Sequence, residues 1–472
     1  MSARTDLRVE TTPVPGLLVL HLPVHEDNRG WFKENWQRAK MTALGLPDFD
    51  PVQHNVSFNT SRGATRGFHA EPWDKFVSVA SGRVFGAWVD LREGPSFGRS
   101  CWIELDPSVA VFVPRGVGNA FQTLEDATAY SYLVNDHWSA NASDEYTFVN
   151  LADPTVAVPW PIALFANDVE MSDKDKHHPM LDEVAPMAPR KILVLGADGQ
   201  VGRALRRAAD ASGSRDCEFF SRSDCDLEDP HCFDGIRWGA YRAVVNAAAF
   251  TAVDESETAA GRRRAWAVNA AAVARLVRAT RGTGVTLVGF SSDYVFDGEQ
   301  ASHREDERPA PLGVYGQTKA AGDLALESMH RHYIIRTSWV VGDGANFVRT
   351  MQGLCERGVS PSVVSDQVGR PAFAVDIARA VFHLLDGAAS YGTYNVTNSG
   401  DSVSWADVAR EVYVASGGSA DDITAVTTEE YFAGRDGIAP RPLRSTLDLS
   451  KIVEAGFSPP PWRDRLREYL GV

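Results

Sequence analysis

The chain has 472 residues, a length that predicts two or three domains, and its 62 acidic against 47 basic side chains give a formal net charge of −15. Acidity spread along the chain without a basic patch excludes a nucleic-acid-binding role, and the lack of an apolar run of about 18 residues excludes a membrane-spanning helix. Cys101, Cys217, Cys225, Cys232 and Cys355 are odd in number and lack zinc spacing; with no signal peptide in view, they are expected to be reduced thiols of a cytoplasmic protein.

The first 184 residues predict an all-β unit. FVSVASGRVFGAWVDLRE and RSCWIELD alternate apolar and polar residues, and Ser81-Gly82, Gly94-Pro95 and Asp106-Pro107 punctuate them as turns. Many short strands at even spacing indicate a jelly roll or barrel. His69 on such a strand, taken alone, is more often a hydrogen-bonded core or surface residue than a catalyst.

In order along this segment, DNRGWFKE, VQHNVS, TRGFH, DKFVSVASGRVFGAWVDLREGPSFG, FVPRGVGNAFQTL and ADPTVAVPWP resemble the dTDP-4-dehydrorhamnose 3,5-epimerases, a cupin family, up to about Val184. Protons beside a ketone are weakly acidic, so their removal needs a positioned base, a stabiliser for the enolate and an acid on the opposite ring face. The resemblance implies His69 as base, Asp153 as the carboxylate fixing its tautomer, Lys75 at the C4 oxygen and Tyr132 as acid. It also implies Arg29, Glu34, Gln53, Asn55 and Arg66 as contacts to the nucleotide and pyrophosphate of a dTDP-sugar, and dimerisation through this half of the chain. Asn119 stands where the family usually has histidine, and is expected to contact the substrate by hydrogen bonds alone. With His69-Ala70-Glu71 in place of an HxH pair, no metal is expected.

Residues 167–190 are polar, charged and proline-bearing and predict the seam, with 185–188 as linker between units 1–184 and 189–472. His177 and His178 look like a metal tract but are expected to be loop surface.

Beyond the seam, KILVLGADGQVGRALRRAAD runs from an apolar strand through Gly196, Gly199 and Gly202 into an amphipathic helix. That context suits a dinucleotide: the glycines permit the turn, the approach of backbone to a pyrophosphate and close helix packing, with phosphate at the helix N-terminus. RAVVNAAAF and VTLVGFSSD supply further buried parallel strands, so the unit is expected to be doubly wound. Tyr315 and Lys319 are four apart and share a helix face, with Ser292 at the end of an upstream strand. A lone YxxxK is weak; beside the glycine motif it reads as a ketone-reducing trio in which Lys319 favours the Tyr315 phenolate.

GADGQVG, VNAAAFTAVDESE, SSDYVFDG, VYGQTK, IIRTSWVVGDGANF and SDQVGRPAFAVDIA, in this order, resemble the dTDP-4-dehydrorhamnose reductases, extended short-chain dehydrogenases, over about Pro189 to Val472. The resemblance implies Ser292, Tyr315 and Lys319 as catalytic, and Trp339, Asn346 and Arg370 as substrate contacts. It implies NADPH, with NADH as the alternative, held by Gly196, Gly199, Gln200, Val201, Gly202, Asp226, Leu227, Ala247, Ala248, Tyr315 and Lys319. Arg222 could pair with a 2′-phosphate or be solvated surface. Ala204 replaces a glutamate described in metal-bridged reductase dimers, so no such dimer is expected.

The fold expected is therefore an all-β cupin followed by an α/β Rossmann-type extended short-chain dehydrogenase/reductase. The two resemblances imply consecutive steps, 3,5-epimerisation of dTDP-4-dehydro-6-deoxy-D-glucose and then reduction at C4 to dTDP-L-rhamnose, a cell-wall polysaccharide precursor. A related deoxysugar route, or one half acting as a non-catalytic nucleotide-binding module, are the alternatives.

Overall fold

The computed structural model describes residues 6–138, 145–213, 216–387 and 389–472. The chain divides after Pro189 into two compact units.

The first unit is built from short antiparallel strands: β1 (Arg8–Thr11), β2 (Leu18–His21), β3 (Val24–Asp27), β4 (Gly30–Lys33), β5 (Gln53–Asn59), β6 (Thr65–Ala70), β7 (Lys75–Ser81), β8 (Val84–Asp90), β9 (Ser100–Leu105), β10 (Val109–Val113), β11 (Val117–Thr123), β12 (Thr128–Val134) and β13 (Thr147–Phe148). They form a six-stranded sheet in the order β1-β2-β10-β7-β12-β5 and a five-stranded sheet in the order β13-β6-β11-β8-β9; β3 and β4 pair only with each other. Alternation decides which residues face which layer. In β10, Val111 and Val113 join the core between the sheets, while Ala110 and Phe112 join an outer core with Phe49 and with Met41 of helix α1 (Arg38–Ala43). The outer face of the five-stranded sheet is covered by the segment after β13, through Val149, Leu151, Val156, Leu181, Val184 and Met187.

That covering corrects two expectations about the seam. Residues 185–188 are not a free linker, because Met187 is buried, its N–H donates to the Leu91 carbonyl and its carbonyl accepts from Glu93 N–H. Residues 167–184, expected inside the first unit but read as polar seam, are packed onto it: they fold as helix α2 (Asp173–Lys176) and a helical turn, Leu181–Glu183, on the sheet. Polarity alone misled, since the few apolar residues of this stretch are the ones that pack.

The second unit has a parallel sheet. β14 (Lys191–Leu195), β15 (Cys217–Phe220), β16 (Tyr241–Asn246), β17 (Thr286–Ser292), β18 (His332–Thr337) and the strand Gly392–Asn395 lie in the order β15-β14-β16-β17-β18 and then Gly392–Asn395. Both faces are buried, as continuous apolar strands require. Ile192 and Val194 pack with α3 (Gln200–Ser212) through Leu205 and with the helix Ala374–Asp386, whereas Leu193 and Leu195 pack with Ala272, Val273 and Leu276 on the opposite side. The carboxyl ends of β14, β16 and β17 thus open on one edge, where ligands of such sheets bind.

Candidate active sites

In the first unit the inward faces of the two sheets supply the candidate site. Asn119 of β11 is directly opposite His69 of β6, and Tyr132 of β12 is opposite Asn55 of β5. His69 Nε2 lies 2.8 Å from Asp175 Oδ1, on α2, and His178 Nε2 lies 3.2 Å from the same oxygen. Asp175 is buried. Burial raises its pKa, but the hydrogen bonds from His178 and His69, together with the His69 charge, outweigh this and hold the carboxyl well below the usual range.

The residue expected to orient His69 is therefore the wrong aspartate. Asp153 is buried, and its Oδ1 accepts from Thr155 and Val156 N–H, each at 2.8 Å, while Oδ2 accepts from Leu181 N–H at 2.7 Å. It closes a turn and anchors the covering segment, its hydrogen bonds going to backbone N–H groups while the imidazole bonds Asp175. Asp175 lay in the stretch assigned to the seam, and so did His178, which is a site neighbour rather than loop surface; His177 is exposed.

Lys75 is buried and paired with Glu71, whose Oε2 also accepts from Trp73 Nε1 at 2.8 Å. The Lys75 ammonium sits 5.6 Å from the centre of the Tyr132 ring. Burial, then the Glu71 charge, push the Tyr132 phenol up, with Arg66 opposing them, so Tyr132 holds its proton at neutral pH. Asn119 accepts from Tyr130 Oη at 3.0 Å. Glu71, Tyr130 and Asp175 are members of this cluster that motif reading left out.

Arg66 Nε donates to Asn59 Oδ1 at 3.1 Å, and Gln53 donates to Asn55 Oδ1 at 3.0 Å, both beside the Tyr132 strand. Arg29 and Glu34 are not brought to this cluster. Arg29 is exposed on the β3–β4 hairpin and bonds Asp27, and Glu34 accepts from Lys40 at 2.9 Å.

In the second unit a cavity of about 550 Å³ opens at the carboxyl edge of the sheet, lined by Gly196, Gly199, Gln200, Val201, Arg222, Asp226, Leu227, Ala247 and Ala248 among others. Its floor admits no side chains. A Cβ on Gly202 would lie 2.2 Å from the Gly196 carbonyl oxygen, and one on Gly196, at φ +81°, would lie 2.6 Å from Ala248 N. Gly199 caps α3, so the first N–H groups of that helix face the cavity edge, as a pyrophosphate needs. The residues present fit a dinucleotide. Arg222 lines this cavity but is paired with Asp226 at 3.1 Å and Glu228 at 2.7 Å, and Arg264 shares Glu228 at 3.2 Å. Gln200 has a further duty: its Oε1 accepts from Gly342 N–H at 2.7 Å.

Ser292 ends β17, and Tyr315 and Lys319 lie on helix Val314–Glu327. Ser292 Oγ donates to Asp293 Oδ1 at 2.9 Å. The Tyr315 phenol is pushed up to about 12 by burial first, then by the charges of Asp293 and Asp323, with Ser292 opposing them. Lys319 was expected to favour the phenolate, but burial lowers its own pKa and its principal electrostatic partner is Asp323. Asp323 is buried, accepts from Ser291 Oγ at 2.6 Å and faces Arg336 Nε at 3.5 Å. In this state Tyr315 is a neutral proton donor.

Of the expected substrate contacts, Trp339 lines a second cavity of about 150 Å³ with Gln200, Asn346 and Pro371, stacked on Trp405 at 3.8 Å. Its φ of 41° lies in the left-handed region, unusual for a bulky residue. Asn346 lines the same cavity, but its side chain caps the helix Phe347–Glu356 and donates to the Gly342 carbonyl at 2.7 Å. Arg370 is turned to the Leu447 carbonyl at 2.5 Å, and burial lowers its pKa against the nearby Asp448.

The fold and sites define a cupin carrying a histidine–carboxylate dyad, joined to a short-chain dehydrogenase/reductase. The family model for the RmlD substrate binding domain matches residues 190–472, and that for dTDP-4-dehydrorhamnose 3,5-epimerase matches residues 11–183. The chain belongs to both families, one in each unit. The protein RmlC homolog of Streptococcus pyogenes is 48% identical over 188 residues, 39% of this chain and 93% of that protein. The dTDP-4-dehydrorhamnose reductase of Mycolicibacterium smegmatis is 32% identical over 291 residues, 60% of this chain and 86% of that protein. A crystal structure of the Bacillus anthracis dTDP-4-dehydrorhamnose reductase in complex with NADP aligns with a TM-score of 0.54 at 30% identity, covering 60% of this chain and 99% of that one.

Proposed function

We propose that this chain performs two consecutive steps of dTDP-L-rhamnose synthesis, 3,5-epimerisation of dTDP-4-dehydro-6-deoxy-D-glucose followed by NADPH-dependent reduction of the C4 ketone. The observation that carries this reading is the presence in one chain of both chemical sets, His69–Asp175 with Lys75 and Tyr132, and Ser292, Tyr315 and Lys319 beside a glycine-lined cavity.

In the first site Asp175 accepts from His69 Nε2–H, which leaves the lone pair on Nδ1 to take the C3 or C5 proton. Lys75, fixed by Glu71, meets the charge that develops on the C4 oxygen, and the neutral Tyr132 phenol returns a proton on the other side. In the second site, NADPH supplies the hydride when bound. Ser292, turning its O–H from Asp293, holds the ketone oxygen and Tyr315 gives its proton to the alkoxide; Lys319, paired electrostatically with Asp323, lies one helical turn after the tyrosine that ionises. Epimerisation precedes reduction, because the C4 ketone is what makes the C3 and C5 protons removable.

The first unit is proposed to pair with a second copy. Val56 and Phe58 are 62% and 63% exposed on β5, the edge strand of the six-stranded sheet, and Phe32 is 69% exposed on the β3–β4 hairpin. The chain is proposed to act in the cytoplasm: all five cysteines are free thiols, and among the described residues no helix is long and apolar enough to cross a membrane.

The test is to supply dTDP-4-dehydro-6-deoxy-D-glucose and NADPH to the purified chain and follow the sugar by NMR. dTDP-L-rhamnose with one NADPH oxidised per sugar is expected. A 6-deoxysugar with another C3, C4 or C5 configuration would move the chain to a related deoxysugar route.

A further inference from the structure

His69, Asp175 and His178 form a compact group of three ligating side chains. One imidazole comes from a strand, and the carboxylate and second imidazole come from the segment that covers the sheet. Both Nε2 atoms aim at Asp175 Oδ1, at 2.8 and 3.2 Å, and the three potential ligand atoms all lie within 4.8 Å of one another. Around a zinc ion, with bonds of about 2.0–2.2 Å, tetrahedral ligands stand roughly 3.3–3.5 Å apart. The His178–Asp175 contact is already near that spacing, the His69–Asp175 contact reaches it by opening about half an ångström, and the two Nε2 atoms, within 4.8 Å of each other, have at most about 1.5 Å to close.

The rings are already held in place. His178 stacks on Phe148 with centroids 4.5 Å apart and planes at 11°, and meets His69 edge-on at 5.7 Å. Asp175 is positioned by its N–H bond to Ser172 Oγ at 3.1 Å. The His69 side chain is 36% exposed, so an ion has a way in.

We propose that His69, Asp175 and His178 bind a divalent transition-metal ion of the zinc class, and that its binding stops epimerisation. Two imidazoles and a carboxylate suit such ions and leave a coordination position for water. The inhibition follows from tautomer chemistry. Metal-free, Asp175 keeps the ring proton on His69 Nε2 and the lone pair on Nδ1. A metal on Nε2 is bound by the lone pair of that nitrogen, so the ring proton leaves Nε2, the neutral ring carries its proton on Nδ1, and no site is left to accept one from the sugar. The metal competes with a proton for a single ring and has no role in turnover.

The binding half of this proposal stands on geometry alone; the inhibitory half rests on His69 being the base. The full chain, stripped with EDTA, is titrated with Co²⁺ and its visible d–d absorption recorded, then back-titrated with Zn²⁺. The expected result is a low-coordinate Co²⁺ spectrum removed by Zn²⁺, and lost in both His178→Gln and His178→Phe, the second of which retains an aromatic ring against Phe148. Zn²⁺ that fills the site is expected to cut deuterium incorporation at C3 and C5 at least about tenfold, reversibly with EDTA. NADPH oxidation with pre-epimerised sugar, catalysed by the same chain, is expected to continue. The His178 variants, each compared with its own metal-free rate, should need at least about tenfold more Zn²⁺ for the same inhibition. A Co²⁺ spectrum absent from the wild type or unchanged in both variants would overturn the site, whichever residue is the base. Unchanged exchange with the site filled would overturn the inhibition and, separately, the assignment of His69. Equal loss of both activities would show a non-specific metal effect and refute the proposal.

Discussion

His69 Nε2 is held 2.8 Å from Asp175 Oδ1, a residue 106 positions further along the chain. The hydrogen bond sets which nitrogen is basic. An asparagine in place of Asp175 offers an amide that can donate to Nε2 and so favour the non-basic tautomer. Asp175→Asn should lower deuterium incorporation at C3 and C5 by roughly 10²- to 10⁴-fold. Asp153→Asn should leave incorporation within a few-fold but destabilise the first unit by roughly 1–3 kcal/mol, because a buried acceptor of three backbone N–H groups loses its charge. NMR in D₂O and thermal unfolding of both variants read the two effects; the reverse ranking would restore Asp153 as the partner.

Tyr315→Phe should abolish NADPH oxidation while deuterium still enters the sugar, since the phenol is the buried, protonated donor of the second site. Measuring both in one tube checks it. NADPH turnover near the wild-type rate would remove Tyr315 from the chemistry.

Arg222 is held between Asp226 and Glu228 at the rim of the dinucleotide cavity. A 2′-phosphate has to compete with those carboxylates for it. Arg222→Ala should raise KM for NADPH roughly tenfold with little change for NADH, and Glu228→Gln, which releases one competitor, should lower KM for NADPH. Parallel changes with both cofactors would leave Arg222 as a structural residue.

Burial pushes the Asp293 carboxyl up to about 6 from 3.8. A pKa raised on folding contributes stability that is complete below about pH 3.8 and lost as pH rises through about 6, amounting to roughly 3 kcal/mol. Asp293→Asn is neutral throughout and lacks that loss. The second unit of the variant should therefore gain on the wild type between pH 4 and 7, whatever the constant offset between them. Thermal unfolding at several pH values, with the transition assigned by its response to NADPH, gives the difference; a flat difference would mean that Asp293 is not buried as a neutral acid.

What the sequence determined by itself was whatever is written in contiguous residues. The glycine turn of Gly196, Gly199 and Gly202 is local, and at Gly196 and Gly202 backbone at the strand–helix junction leaves no space for a Cβ atom. Tyr315 and Lys319 are local too, placed on one face by helix geometry. The tertiary structure decided the partnerships that cross the chain. Asp153 and Asp175 are both buried aspartates near turns, and nothing in their neighbours says which one reaches His69; the choice is made by how residues 167–184 lie across the sheet. For the same reason a polar stretch that reads as a seam completes a site, and Lys319 answers to Asp323 rather than to the tyrosine one turn before it. Charge and polarity are properties of single residues, but burial and electrostatic partners are properties of the packed fold, and these shift the pKa values of Asp175, Tyr132, Tyr315 and Lys319.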